Sequence, residues 1–326
     1  MDKKWKPVVV AVALGVILPQ LLLSAVRQRP LSEPAETLTP TQQETQLSPS
    51  ARSTYLPVLT AENSIHVMEL EAYVLGVVLA EMPAEFEMEA LKAQAVVART
   101  YALRRLSRQD RHADVAVCAD PNCCQAYMTE EEFLQKGETV SGLEKIARAV
   151  EATKGQVLIY GGALIEATYF SCSGGRTEDA VAVWGEVIPY LQAVDSPGEE
   201  NAEKYWEEVH FTAEEFEDAL GRDLSGTPRS WLGKRTFTAG GGVQTMVIGG
   251  IAYTGTQLRQ LLGLNSTAFT MAAEDGGITV ETLGKGHRVG MSQYGADAMA
   301  RGGSSYDEIL MHYYPGTRID KTENIL

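Results

Sequence analysis

The sequence predicts an α+β fold in which a helical region packs with a mixed or antiparallel sheet, in two lobes with a cleft, behind a single N-terminal transmembrane helix. Three observations predict it. An uncharged apolar run stands near the N-terminus, and apolar residues recur at helical spacing from Leu70 to Arg105. From Gln156 onward short strand patterns cluster without the regular alternation that marks a parallel βαβ sheet. At 326 residues the chain has room for one large core or two smaller ones.

Taken in order, residues 1–6 form a short basic tail, and PVVVAVALGVILPQLLLSAV from Pro7 to Val26 matches the ~20 residues needed to cross a hydrocarbon core. Pro19 would kink that helix, which membrane helices tolerate, and no A-x-A-like cleavage site follows, so the run reads as an uncleaved anchor. Lys3, Lys4, Lys6 and the α-amino group precede it and Arg27 and Arg29 follow, which places the N-terminus in the cytoplasm and the body outside the cell membrane. Residues 27–55 are rich in Pro, Thr, Gln and Ser, cannot bury a core, and read as a flexible tether. The folded body is expected over 56–326.

Within the body, Pro83 interrupts the helical pattern. A short helix, a break over 81–86 and a long helix from about Glu87 are expected, with Glu81 at the corner. Residues 112–142 are polar and cysteine-bearing and read as a loop-rich excursion. QVLIYGGALIEATYF, from Gln156, has a Gly161–Gly162 turn between apolar runs, and sheet is expected to begin there. TAEEFEDAL and GTQLRQLLG read as helices, VQTMVIGGIAY and GITVETL as strands, and Gly240 to Gly242 as a turn.

The net charge of −15 repels nucleic acid and anionic lipid, so no nucleic-acid partner is expected, and any anionic polymer would have to be held by a local site. Neither a GxxxxGK[ST] phosphate loop nor a GxSxG elbow is present. Glu81 is flanked by Val77, Val78, Leu79, Met82 and Pro83. Such a partly apolar setting raises a carboxyl pKa and suits a general acid, although a solvated helix-terminal acid would look the same.

Three ordered blocks, YVLGVVLAEMPAEFEMEALKAQAVVARTYA (Tyr73 to Ala102), SCSGGRTEDAVAVWG (Ser171 to Gly185) and GKGHRVGMSQYGADAMA (Gly284 to Ala300), resemble the SpoIID/LytB domain family. The resemblance implies a peptidoglycan lytic transglycosylase with Glu81 as the catalytic acid and base. In such an enzyme the 6-hydroxyl of the muramic sugar attacks the anomeric carbon, so one carboxyl suffices where hydrolysis would need two. The implied substrate is glycan strand stripped of stem peptides. The implied partners are a cell-wall amidase and membrane proteins of the sporulation machinery, at a septal or engulfing membrane. Lys92 and Arg99 match basic positions of the family's helix and either meet a substrate carboxylate or solvate that face. His112, Cys118 and Cys124 resemble a His-x5-Cys-x5-Cys zinc site present in some members, with Cys123 adjacent. A disulfide, Cys118 with Cys124 or Cys123 with Cys172, is the alternative. Ser171 and Ser173 supply small polar groups near a strand end, and Tyr169 and Asp195 are further candidates for lining the site.

In the last block Arg288 stands where the family usually has glycine, so it must either accept an unusual backbone conformation or reach out to the anionic glycan. Ser292 and Gln293 are expected to open a helix facing the cleft, and His287 reads as a structural histidine. Two rival functions stand beside the enzyme: a non-catalytic enhancer of an amidase, and a zinc-dependent hydrolase.

Overall fold

The computed structural model describes residues 54–109 and 111–325. The expected anchor and nearly all of the expected tether lie outside the described residues. Among the described residues no helix is long and apolar enough to cross a membrane.

Sheet begins earlier than the sequence pattern indicates. Strands Tyr55–Leu59 and Ile65–Glu69 pair antiparallel, with Leu56 opposite Met68, and Val117–Cys118 adds a parallel third strand beside Tyr55–Leu59. A proline inside the first strand and a second strand exposed along most of its length leave little apolar alternation to read.

Helix α1 (Leu70–Glu81) and helix α2 (Met88–Arg108) follow, as expected. α1 buries Tyr73, Val74, Val77, Val78 and Leu79, which suits a helix packed inside the body rather than along its surface. It ends because Pro83 disfavours the α conformation at Met82, which takes φ −122 and ψ 129. The corner is held from two sides. Lys145 Nζ donates to the carbonyls of Ala84 (2.9 Å) and Phe86 (2.6 Å), and Asp297 accepts from the Glu87 amide at 2.7 Å, meeting one of the orphan donors at the start of α2.

The excursion after α2 is less irregular than expected, since it holds the helix Glu130–Gln135 and leads into an amphipathic helix, Val140–Ala152. The strand Gln156–Tyr160 then pairs with Ala163–Leu164 through the expected glycine turn and with the C-terminal strand Arg318–Lys321. Tyr169–Phe170, which leads into the second motif block, runs parallel to Met291–Ser292 of the third. Gly290 makes this possible: with φ +84, a Cβ there would stand 2.1 Å from the Thr168 carbonyl oxygen.

The apolar residues form two buried clusters. One contains Val77, Leu91, Val96, Leu158, Ile165, Met291 and Tyr313; the other contains Phe216, Trp231, Leu258, Phe269, Ile278 and Val280. The second is wrapped by two three-stranded antiparallel sheets drawn from residues 206–283. It also holds the two expected helices, Ala213–Leu220 and Gly255–Leu261, each opened by a Thr capping box.

Arg288 ties together segments that border the two clusters. It takes the left-handed backbone (φ 65), and its side chain is 2% exposed. The guanidinium donates to the carbonyls of Ser173 (2.7 Å), Arg176 (2.7 Å) and Gly240 (2.8 Å) and pairs with Glu178 at 3.2 Å. Glu178 in turn accepts from Gly242 N and Thr238 Oγ1, in the turn between the strands Leu232–Phe237 and Val243–Ile248. Of the two possibilities open for Arg288, the structure selects the strained backbone, and the side chain is spent on buried carbonyls rather than on a ligand.

Candidate active site

Glu81 is the last residue of α1, where the helix C-terminus contributes partial negative charge that disfavours a carboxylate. Its Oε1 accepts two hydrogen bonds, from the Ala126 amide at 2.9 Å and from the Tyr169 hydroxyl at 3.2 Å. Oε2 has a single long contact, 3.4 Å from Gln293 Nε2, which also donates to the Glu81 carbonyl at 3.2 Å. Burial raises the Glu81 pKa, and the bonds from Ala126, Tyr169 and Gln293 oppose the rise without cancelling it. With the two shorter bonds on Oε1 and only the long Gln293 contact on Oε2, the proton of the neutral acid belongs on Oε2.

The donors are themselves oriented. Tyr73 donates to Gln125 Oε1 (3.3 Å), and Gln125 Nε2 donates to the Tyr169 oxygen (3.2 Å), so the Tyr169 hydrogen is directed to Glu81. Burial and the nearby carboxylate hold the Tyr169 phenol well above its ordinary range, so it remains a donor. The segment carrying Gln125 and Ala126 lies against α1 because Gly76 lets it: a Cβ there would stand 2.3 Å from the Tyr127 ring, and Met128 N bonds the Gly76 carbonyl at 3.1 Å.

Glu81 borders two cavities, one of about 310 Å³ lined also by Met82, Pro83, Phe133 and Lys136, and a cleft of about 1160 Å³. Among the described residues, six cations line the larger cleft: Arg104, Arg105, Arg108, Arg111, Arg259 and Lys285. Among the same described residues the acids that line it are Glu81, Glu166 and Glu186. A chain of net charge −15 thus presents a locally positive groove, the local site that binding an anionic polymer requires. Glu166 is not a free second carboxylate, because Arg104 holds it at 2.7 Å and Arg105 also pairs with it.

The expected site residues divide. Tyr169, Ser171 and Gln293 line the cleft with Glu81. Ser292 is fully buried and caps the helix Gln293–Arg301, accepting from Gly295 N at 3.1 Å, while Ser173 is buried and bonds Glu199. Asp195 is 78% exposed, pairs with Arg176 and does not line the cleft. Lys92 pairs with Glu89 at 2.6 Å, and its ammonium lies 5.7 Å from the Tyr306 ring centroid, also outside the cleft lining. Arg99 is corrected most clearly. Its side chain is 0% exposed and clasps Glu71 through Nε (2.9 Å) and Nη2 (2.5 Å), so it is a structural ion pair and cannot meet a substrate carboxylate.

His112, Cys118, Cys123 and Cys124 bring one imidazole nitrogen and three sulfurs within 4.8 Å of one another. His112 Nε2 lies 3.3 Å from Cys124 Sγ and 3.6 Å from Cys123 Sγ. All four cysteines are free, and Cys172 lies apart, its thiol 3.6 Å from the Lys204 carbonyl, so the Cys123–Cys172 pairing is ruled out. The donor set fits a metal ion. Burial pushes the Cys124 thiol up to about 12, and a divalent cation is what would hold such thiols as thiolates. The structure adds Cys123 to the expected ligands, and four N/S donors make a closed set of the structural kind.

Sequence reasoning missed Gln125 and Ala126, which act through backbone placement, and the cations of the cleft. Only the Arg104, Arg105, Arg108 and Arg111 run after the motif offered a signal.

The SpoIID family model, described as stage II sporulation protein, matches residues 60–160. Stage II sporulation protein D of Bacillus subtilis (strain 168) is 41% identical over 309 residues, covering 93% of this chain and 86% of the relative. The protein of the same name from Bacillus amyloliquefaciens is 40% identical over 272 residues, covering 82% and 78%. An amidase enhancer of Bacillus subtilis (strain 168) is 30% identical over 305 residues, covering 75% of this chain and 40% of that protein.

Proposed function

The chain belongs to the stage II sporulation protein D family, and from that premise we propose that it is a lytic transglycosylase that cleaves peptidoglycan glycan strands in sporulation cell-wall remodelling. The observation that carries the reading is Glu81, a single carboxyl with a raised pKa, pinned through Oε1 and bordering both cavities. The Oε2 proton passes to the glycosidic oxygen as the bond to the anomeric carbon breaks. Ala126 N and Tyr169 Oη then stabilise the carboxylate left behind. The carboxylate takes the proton of the muramic 6-hydroxyl as that oxygen attacks the anomeric carbon, which closes the 1,6-anhydro ring and restores the acid.

The cationic cleft supports strands stripped of stem peptides, because each such muramic residue exposes a lactyl carboxylate. A metal held by His112, Cys118, Cys123 and Cys124, zinc by its donor set, would brace the segment that presents Ala126 to Glu81. Anchoring in the cell membrane by residues 7–26, with the body outside, is part of the same proposal, as is action alongside a cell-wall amidase and membrane partners.

The enhancer reading is favoured by the 30% identity to an amidase enhancer. One experiment separates the two: denuded glycan strands are incubated with the protein or its Glu81→Gln variant and the ends read by mass spectrometry. Anhydro-muramic ends from the wild type alone are expected. Hydrated reducing ends, or equal activity of Glu81→Gln, would refute the mechanism, and no cleavage by the folded wild type would favour the enhancer.

A further inference from the structure

The cleft that holds Glu81 has one wall unlike the rest. Trp184, the last residue of the short helix Ala180–Trp184, lines it and is 43% exposed. Leaving a large apolar ring in water is unfavourable, and in a groove that also carries cations it marks a place for a ligand with both an apolar face and polar groups.

The indole is also held. Its centroid lies 5.4 Å from the His287 ring, and His287 packs edge-on against Phe170 at 5.6 Å. His287 Nδ1 accepts from Val289 N at 3.1 Å, and burial, with Arg259 nearby, lowers its pKa to about 4, so it stands as a neutral spacer. Phe170 follows Tyr169, the donor to Glu81, and His287 precedes Arg288, whose guanidinium is bound to three buried carbonyls. The platform is therefore rigidly tied to the catalytic carboxyl.

We propose that Trp184, backed by His287 and Phe170, is a sugar-stacking subsite that receives one pyranose ring of the strand whose linkage Glu81 attacks. A pyranose presents axial C–H groups on its faces and hydroxyls around its rim. An indole answers the faces, and Asn265, Arg259 and Lys285 in the same cleft answer the rim and any carboxylate. The inference rests on the glycan reading of the site. It adds a binding group that acts on uncharged sugars, where the cations act on charge.

The test uses a neutral ligand, the β-1,4-linked tetramer of N-acetylglucosamine, and the full-length protein. Saturable binding by calorimetry, with a change in indole emission, is expected for the wild type and for Glu81→Gln. Trp184→Ala should lower the affinity about tenfold and Trp184→Phe about threefold or less, since most of the stacking area survives. Loss of the emission change in Trp184→Phe, with binding retained, would identify Trp184 as the reporter among the four tryptophans. An unchanged unfolding midpoint in Trp184→Ala ties its loss to the subsite. Equal affinity of Trp184→Ala and wild type, or no tetramer binding by the wild type, would overturn the proposal. Because no cleavage is read, failure of Glu81 as the acid would leave this result intact.

Discussion

Arg99→Ala is expected to cost stability rather than glycan binding. The Arg99 side chain is 0% exposed and that of Glu71 is 14% exposed, and the pair is joined through Nε and Nη2, with Nη1 donating to the carbonyls of Ala95 (3.3 Å) and Gln156 (3.1 Å). Removing one partner of a buried pair costs about 3–5 kcal/mol because the other charge is left uncompensated. Glu71 keeps the Gly155 amide at 3.1 Å and some contact with water, which points to the lower end, about 3 kcal/mol. For a body of this size each kcal/mol moves the midpoint by about 2–4 °C, so a fall of about 6–12 °C is expected. Thermal unfolding by circular dichroism measures it, and co-sedimentation with denuded glycan measures binding below the new midpoint. The double variant Glu71→Leu/Arg99→Met, which removes both charges, should recover much of the loss. A midpoint within about 2 °C of wild type, together with glycan affinity lowered tenfold, would refute the placement of Arg99 in the structural framework rather than the cleft.

The pH profile follows from Glu81. The proposed reaction needs the protonated acid, and the Glu81 pKa lies above the ordinary glutamate range, so kcat/KM is expected to fall as pH rises through that raised value. Tyr169→Phe deletes a hydrogen bond that favours the carboxylate, so the alkaline limb should move to higher pH; a shift the other way would contradict the geometry. Because the fold holds Glu81 protonated more tightly than the unfolded chain does, that stability is lost as pH rises through the folded pKa. Glu81→Gln should accordingly unfold at a higher temperature than wild type at alkaline pH. For the metal cluster, elemental analysis should find about one zinc per chain, reduced in Cys123→Ser, and chelation should lower the unfolding midpoint; a zinc-free protein of unchanged midpoint would oppose it. Arg288→Gly relieves a left-handed arginine, worth about 1–2 kcal/mol, but strands the buried Glu178, so a net loss of about 2 kcal/mol is expected from urea unfolding.

The interruption of the helical pattern at Pro83 determined on its own that Glu81 would sit at a corner, because proline acts on the residue before it wherever it occurs. The helix opened by Thr212 was legible for the same reason, since a capping box is completed within four residues. The sequence also marked the group of His112, Cys118 and Cys124 and resembled the family to which the chain belongs. What it left undecided depends on groups far apart in the chain. Arg99 and Arg104 lie on one helix and look alike in sequence. Arg99 meets Glu71 and is buried, whereas Arg104 meets Glu166 on the wall of the cleft. Arg288 gave no local hint that the carbonyls of Ser173, Arg176 and Gly240 would converge on it. The raised pKa of Glu81 was suggested by its apolar neighbours, but the oxygen that keeps the proton was decided only by Ala126, Tyr169 and Gln293. These residues are 45, 88 and 212 positions away, and hydrogen bonds act over about 3 Å of space rather than along the chain.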